Sequence, residues 1–245
     1  MENLPGLHIL ARIHTDFPTK FGIPRQSGIV EALKGVVVFE PCYRNPVALR
    51  GLEDFSHIWL IWLFSQSIPQ DHNPDHWSPT VRPPRLGGNQ HMGVFATRSP
   101  FRPNPIGLSS VKLEKVQLQS EQGPLLHVSG VDLMDGTPIL DIKPYLPFSD
   151  SHPEAAGGFA KPREDYRLEV IFPPPLLQQI SPDLRDTLIQ VLAQDPRPSY
   201  QKDPRRIYGF VFAKWEIRFV VEGNCLRVCQ VEPRKDEKEG ENTKW

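Results

Sequence analysis

Short apolar or alternating segments, separated by turn-forming residues, recur along this chain and limit the folds open to it. The 27 prolines and 17 glycines among its 245 residues favour turns and extended segments over long helices. Strands are predicted in the first part at residues 7–13, 36–39, 58–64, 92–95, 111–118, 125–131 and 139–142. Because residues 58–64 are all apolar, we expect a central strand that is buried on both faces. The pattern predicts a mainly β body of seven strands.

A second unit is predicted after residues 143–162, which are rich in proline, glycine, serine and alanine and are typical of a linker. Ser181-Pro182-Asp183 signals the start of a helix, with serine as its cap, and Asp195-Pro196 signals its end. Further strands are predicted at residues 166–172, 207–212, 215–221 and 226–231. We therefore expect a β body over 1–150, a small α+β domain over 151–234 and a flexible tail over 235–245.

Several broad classes of protein are excluded by the same sequence. Its longest apolar run, residues 58–64, is too short to cross a bilayer, and no secretory signal is expected at its start. Three cysteines supply neither a disulfide framework nor a zinc ribbon, and unpaired thiols suit a reducing cytoplasm. A membrane protein, a coiled coil, a collagen and a disulfide-rich scaffold are ruled out.

The charge distribution is uneven, although the formal net charge is only −1. Residues 77–113 contain no aspartate or glutamate, and they carry Arg82, Arg85, Arg98, Arg102 and Lys112. One interpretation is a basic surface loop; the other is a site for an anionic ligand such as an RNA backbone or a carboxylate. Charge alone does not separate RNA from a small anion.

Three strings combine the residue types that such a site needs. Residues 82–107 mix arginines with prolines and glycines, which allow a backbone to approach a ligand closely. Residues 21–28 place Arg25 on a similar loop, and residues 132–145 carry Asp132, Asp135 and Asp141. Asp135-Gly136 is also a hairpin-turn signal, so that aspartate has a structural explanation as well.

Other chemistries have weaker sequence support. Residues 70–76 hold two histidines and two aspartates, but a proline interrupts them and no cysteine is nearby, so no metal is expected. Ser56-His57 lacks the G-x-S-x-G context of a serine hydrolase. The chain has no G-x-G-x-x-G string, which disfavours a Rossmann nucleotide site.

The most specific strings are PRQ at 24–26, RGLEDFSHIW at 50–59, PTVRPPRLGGN at 79–89, MGVFATRSPFRPNPIGL at 92–108, DLMDGTPILDIKPYLP at 132–147 and AQDPRPSY at 193–200. Together they resemble the TrmO (YaeB/TsaA-like) family of tRNA methyltransferases over nearly the whole chain. The resemblance implies a single-sheeted β-barrel with a smaller C-terminal domain, acting as a cytoplasmic homodimer. It implies S-adenosylmethionine as cofactor and methylation of N6 of threonylcarbamoyladenosine 37 in threonine tRNA.

The resemblance also implies roles for individual residues. The cofactor set consists of Pro24, Arg25, Gln26, Ser65, Gln66, Arg98, Leu108, Ser129, Gly130, Val131, Asp132 and Leu133. Ser65 stands where some relatives carry histidine. In the C-terminal string, Arg197 and Tyr200 are candidates for tRNA contact, and Ser199 replaces a usual alanine.

The chemistry of methyl transfer from a sulfonium adds further candidates. Asp132 suits the ribose diol of the cofactor, and an acceptor on the target N–H would raise the nucleophilicity of that nitrogen. Asp135 or Asp141 could serve there. Tyr145 joins them as a catalytic candidate because Lys143-Pro144-Tyr145 is distantly similar to the motif of other N6-adenine methyltransferases. Guanidinium and ammonium partners for the substrate's carboxylate and phosphates are Arg82, Arg85, Arg102 and Lys143.

Two rival functions stay open. A non-catalytic tRNA- or nucleotide-binding module of the same fold would keep the basic strip and fail to bind S-adenosylmethionine. A methyltransferase of the same fold acting on another small substrate would transfer a methyl group, but not to threonine tRNA.

Overall fold

The computed structural model describes residues 6–67, 77–83, 86, 89–160, 167–197 and 203–234. The strands of its first part are β1 (Ala11–Thr15), β2 (Lys34–Phe39), β3 (His57–Leu63), β4 (Thr80–Val81), β5 (Met92–Gly93), β6 (Ile106–Gln117), β7 (Leu125–Ser129) and β8 (Thr137–Pro144). Six of them close an antiparallel barrel in the order β1-β2-β7-β6-β3-β8, while β4 and β5 pair only with each other. The mainly β, single-sheeted barrel expected from the sequence is therefore confirmed.

The barrel core is built by strands that alternate between an inner and an outer face. In β3, Ile58, Leu60 and Trp62 point inward and are buried. The residues between them lie on the outer face and are only half-buried. The expectation that this strand is buried on both faces was wrong, because the described part of the chain leaves its outer side partly uncovered.

Two sequence predictions differ from the structure in this part. The strand predicted at 92–95 ends at Gly93, since Val94–Ala96 forms a 3-10 helix whose first residue is buried and donates from its backbone N to Pro79 O (2.9 Å). The body therefore has six barrel strands rather than seven. The linker predicted from residue 143 begins later, because β8 continues to Pro144 and α1 (Pro147–Asp150) follows. Asp150 accepts hydrogen bonds from Trp59 Nε1 (2.8 Å) and Leu146 N (2.9 Å), which fixes this segment to the barrel.

The second part contains a four-stranded sheet and two helices. Its elements are β9 (Glu169–Ile171), α2 (Pro174–Leu177), α3 (Pro182–Ala193), β10 (Tyr208–Phe212), β11 (Trp215–Glu222) and β12 (Cys225–Pro233). The sheet order is β10-β11-β12-β9, with β9 parallel to β12. The predicted helix is present, but Ser181 makes no side-chain cap hydrogen bond. None of the helices in the described ranges is long and apolar enough to cross a bilayer.

Buried apolar side chains run without a break from the barrel into the second part. The rings of Phe17 and Phe212 are both fully buried and meet edge to face, with centroids 5.4 Å apart. Ala213 N donates to Asp16 O (2.7 Å) beside them. Gly22 has φ +90°, and a Cβ there would lie 2.3 Å from the Phe210 ring, so only glycine fits this approach. The division of the chain at residue 150 stays a prediction, and the tail after 234 lies outside the described residues.

Candidate functional site

A cavity of about 810 Å³, here called the inner cavity, opens where β3 ends and β6 and β8 begin. Four segments and Thr137 line it; the segments are the loop that carries residues 20–26, the end of β3 with residues 65–67, residues 95–108, and residues 132–134. Its volume falls in the range of about 300–1,000 Å³ that is usual for small-molecule sites. The closed barrel supplies a rigid support for these loops.

Asp132 is the carboxylate of the inner cavity, and it is held by a short relay of hydrogen bonds. Trp62 Nε1 donates to Ser109 Oγ (3.0 Å), and Ser109 Oγ donates to Asp132 Oδ1 (2.6 Å). Ser109 is a polar residue on the buried face of β6, where it is 1% exposed. The indole needs the space beside Gly107, because a Cβ there would lie 2.3 Å from Trp62 Cε2.

Burial raises the pKa of the Asp132 carboxyl above its usual value. The hydrogen bond from Ser109, backbone N–H groups and the positive charge of Arg98 oppose this shift without cancelling it. The protein therefore keeps a carboxylate in a cavity where its charge is poorly solvated. A ligand that brings hydroxyl donors or a positive charge would compensate for the solvation that this carboxylate lacks.

Arg98 connects this carboxylate to the loop that carries the PRQ string. Its guanidinium donates to Gln26 Oε1, and Gln26 Nε2 donates to the backbone O of Arg25. The loop is also fastened to the segment that precedes Asp132, because Gly28 N donates to Gly130 O (2.9 Å). Lys20 Nζ donates to the backbone O of Gln66, which joins two further lining segments.

Most of the predicted cofactor residues meet in the inner cavity. Those that line it are Pro24, Arg25, Gln26, Ser65, Gln66, Arg98, Leu108, Asp132 and Leu133. Ser129, Gly130 and Val131 do not. The Ser129 hydroxyl donates to Glu114 Oε1 (2.6 Å), the backbone of Gly130 holds the PRQ loop, and Val131 is buried in the core.

The three predicted catalytic residues lie outside the lining of this cavity. Asp135 accepts from Thr15 N (3.1 Å) and its Oδ1 lies 3.1 Å from His14 Nδ1, which makes it a turn residue that holds the end of β1. Asp141 pairs with Lys143 (2.9 Å), and both side chains are exposed. Tyr145 packs against Trp59, with ring centroids 5.6 Å apart. The catalytic roles of these three residues stay predictions, as does substrate binding by Lys143, which also lies outside the described lining of the cavity.

A second cavity of about 1,530 Å³, here called the outer cavity, shares a wall with the inner one. Six cationic side chains line it, and no aspartate or glutamate is among its described lining residues; they are Lys20, Arg25, Arg82, Arg98, Arg102 and Arg197. Concentrated positive charge beside a cofactor-sized cavity suits a polyanionic ligand.

The predicted substrate residues divide into three groups. Arg82 and Arg102 line the outer cavity, where Arg82 Nε donates to His91 Nε2 (3.0 Å). Arg197 also lines it. Its Nε donates to Asp195 Oδ1 (2.8 Å) and its Nη2 donates to Asp195 Oδ2 (2.9 Å), which fixes the position of the guanidinium. Arg85 and Tyr200 lie outside the described residues, as do residues 70–76, where a metal site was weighed. Among the residues that the structure does describe, no group of histidine, cysteine and carboxylate side chains could hold a metal ion.

Sequence reasoning missed three residues that shape the inner cavity, namely Trp62, Gly107 and Ser109. A signal for one of them was present. Ser109 interrupts an alternation in which its inward neighbour Val111 is apolar, and a polar residue on a buried strand face requires a partner. The other two are detected only when β3 and β6 are known to be adjacent, since Trp62 pairs with Gly107 across them.

A closed β-barrel that places a small-molecule cavity beside a cationic one suits a protein that binds a cofactor next to a polyanion. The chain belongs to the TrmO family of tRNA methyltransferases: the tRNA-methyltransferase O N-terminal domain matches residues 12–151, and the TrmO C-terminal domain matches residues 165–234.

Similar proteins agree with this membership. An Escherichia coli protein named tRNA (adenine(37)-N6)-methyltransferase is 41% identical over 232 residues, covering 91% of this chain and 95% of that protein. A protein of the same name from Eikenella corrodens is 49% identical over 169 residues, covering 69% and 92%. The crystal structure of TrmO from Pseudomonas aeruginosa has a TM-score of 0.72 at 33% identity and covers 94% of this chain and 99% of that one.

Proposed function

We propose that this protein transfers the methyl group of S-adenosylmethionine to N6 of adenosine 37 in tRNA, and that its substrate is threonylcarbamoyladenosine in threonine tRNA. The observation that carries the proposal is the shared wall between an inner cavity with one carboxylate and an outer cavity lined by cations. Relatives named as tRNA (adenine(37)-N6)-methyltransferases support the tRNA and the target atom.

The inner cavity fits S-adenosylmethionine by its donor set. The poorly solvated Asp132 carboxylate offers an acceptor for ribose hydroxyls and a negative charge for a sulfonium, and Trp62 and Phe64 supply apolar wall for an adenine. When bound, the cofactor supplies an electrophilic methyl group on a positively charged sulfur. The proposed binding residues are those of the predicted set that line the cavity, with Gly130 acting through its hydrogen bond to the PRQ loop.

The outer cavity fits tRNA and the charged substituent of its target base. The threonylcarbamoyl group ends in a carboxylate, and Arg102 and Arg98 lie on the wall between the two cavities. We assign Arg82 and Arg197 to the phosphate backbone, because they line the outer cavity alone. When the described lining residues of the two cavities are taken together, Asp132 is the only acid among them, and it belongs to the inner cavity. The proposal therefore attributes rate enhancement chiefly to orientation of the reactants.

The proposal predicts methyl transfer from labelled S-adenosylmethionine to threonine tRNA only when adenosine 37 carries the threonylcarbamoyl group. The measurement compares tRNA with and without this group, with cofactor binding followed by calorimetry. Label on both tRNAs would reject the requirement for prior modification. Cofactor binding without label would indicate another substrate, and absence of cofactor binding would favour the rival of a non-catalytic RNA-binding module.

We further propose that the protein acts as a homodimer in the cytoplasm. Leu108 is 47% exposed at the mouth of the inner cavity, beside the half-buried Ile61 and Leu63 on the outer barrel face. A second copy over this face would remove the apolar surface from water. Light scattering is expected to give twice the mass of the 27.9 kDa chain, and a monomer at micromolar concentration would contradict the expectation.

A further inference from the structure

Phe95 occupies an unusual position for a large apolar side chain. It lies on the wall shared by the two cavities and is 70% exposed. Its neighbour Val94 is 1% exposed and anchors the 3-10 helix through backbone N to Pro79 O. Thr97 Oγ1 donates to Val94 O (2.8 Å) and closes the turn. A rigid, well-anchored turn therefore holds an aromatic ring out toward solvent.

Two further side chains surround this ring without covering it. The Trp77 ring lies 5.4 Å away at an angle of 44°, and it is 38% exposed. The guanidinium carbon of Arg102 lies 5.9 Å from the Phe95 centroid. Together these three residues, here called the Phe95 platform, present π surface and a positive charge to a single space. This arrangement is typical of sites where an unpaired nucleic-acid base stacks.

We propose that the Phe95 platform receives the unstacked target adenine of the RNA and positions it over the inner cavity. The target atom cannot meet a cofactor in the inner cavity while its base remains stacked in the anticodon loop. The platform lies where such a base would pass from the cationic outer cavity toward Asp132. Arg102 then lies next to the base, within reach of an anionic substituent on N6. This inference rests on the proposed function.

The competing occupant is the adenine of the cofactor, since Phe95 also lines the inner cavity. The platform is nonetheless set apart from the deep residues of that cavity. Trp77 lines the outer cavity only, and Asp132 and Trp62 line the inner cavity only. A base stacked on the Phe95 ring beside Trp77 therefore lies on the RNA side of the shared wall.

The test uses Phe95→Leu, which keeps an apolar side chain and removes the ring, and Phe95→Tyr, which keeps the ring. Phe148→Leu is the control, because Phe148 is 88% exposed and lines neither cavity. We expect Phe95→Leu to lower kcat/KM for modified tRNA by about tenfold to a hundredfold. We expect S-adenosylmethionine affinity to change less than about twofold. Phe95→Tyr should retain wild-type kcat/KM, as should the control.

A second readout is independent of catalysis. An unmodified anticodon stem–loop carrying 2-aminopurine at position 37 is bound to each variant, and its emission is measured at saturation. Stacking quenches this fluorophore, so the Phe95→Leu complex should be brighter than the wild-type and Phe95→Tyr complexes. Equal emission from all three complexes would overturn the platform.

The outcomes separate the platform from the proposed function. Equal losses of cofactor affinity and of kcat/KM in Phe95→Leu would overturn the inference by assigning the ring to the cofactor. Unchanged kinetics in Phe95→Leu, with an active wild type, would overturn the platform and leave the function intact. A wild type that methylates no tRNA would reject the function, and the emission measurement would still decide whether an unpaired base stacks on Phe95.

Discussion

Replacing Asp132 with asparagine is expected to weaken S-adenosylmethionine binding by about 10- to 100-fold, since hydrogen bonds to a charged group contribute about 1.5–3 kcal/mol. Asparagine keeps the shape of the side chain and an oxygen that accepts from Ser109. It loses the negative charge that a sulfonium requires and one acceptor for ribose hydroxyls. Fold and cavity shape should be retained, so the effect on binding isolates the charge.

The same substitution should leave the protein without ligand as stable as the wild type, or more so, at pH 8. Burial raises the pKa of Asp132 in the folded state above its unfolded value of 3.8. The contribution of such a group to stability is complete below the unfolded pKa and is lost as the pH rises through the folded pKa. Between pH 4 and pH 8 the wild type should therefore lose stability relative to the asparagine variant, because only the wild type carries this group.

Calorimetric titration with S-adenosylmethionine and thermal unfolding between pH 4 and pH 8 check both parts. Asp54→Asn is the matched control, because Asp54 is an exposed aspartate on the 3-10 helix Leu52–Asp54 and lines neither cavity. It should leave cofactor affinity unchanged. Wild-type affinity in the Asp132→Asn protein would remove Asp132 from the proposed binding site.

Replacing Gly107 with alanine is expected to destabilise the protein and to reduce cofactor binding together. The new Cβ would lie 2.3–2.6 Å from three atoms of the Trp62 indole, which is inside van der Waals contact. Since Trp62 is 8% exposed, its ring has little room to withdraw. Overpacking of this kind costs about 1–3 kcal/mol of unfolding free energy. Displacement of the indole would also break its hydrogen bond to Ser109, which supports Asp132.

Chemical denaturation and calorimetric titration measure the two effects. Gly93→Ala is the control, because nothing lies within 4 Å of its added Cβ and its φ of −56° suits any residue. That variant should unfold within about 0.5 kcal/mol of the wild type. A Gly107→Ala protein of normal stability and normal affinity would show that the position of the Trp62 indole does not affect the cavity.

The strands could be predicted from the sequence because a strand with one buried face repeats that face every second residue, in the barrel and in the second sheet alike. The pattern of β11, where Ile217 and Phe219 alternate with Glu216 and Arg218, predicts one buried face, and the structure confirms it. Barrel closure could not be predicted from such a local pattern. It depends on β1 pairing with β8, whose partners such as Ala11 and Ile139 are far apart in the chain, and no local pattern reports that.

The candidate site could be predicted in part. Asp132 and Arg98 were recognised from strings that resemble a family, and the structure brings both to the inner cavity. The catalytic role of Asp141 stays a prediction. A strand residue gives no sign of which barrel face it occupies until the register is known. Asp141 lies opposite Ile61, on the outside, with its charge paired to Lys143. A carboxylate suits the proposed chemistry, but the strand register puts the Asp141 side chain on the outer face of the barrel.

The contact between Phe17 and Phe212 has a consequence for synthesis on the ribosome. Phe17 lies two residues after the end of β1, whereas its partner ends β10, so the first ring is made long before the second. The barrel strands are all complete once β8 has emerged, yet one apolar ring of the core still lacks its partner. We expect nascent chains that end before β10 to expose this ring and to be held by a chaperone that binds hydrophobic segments.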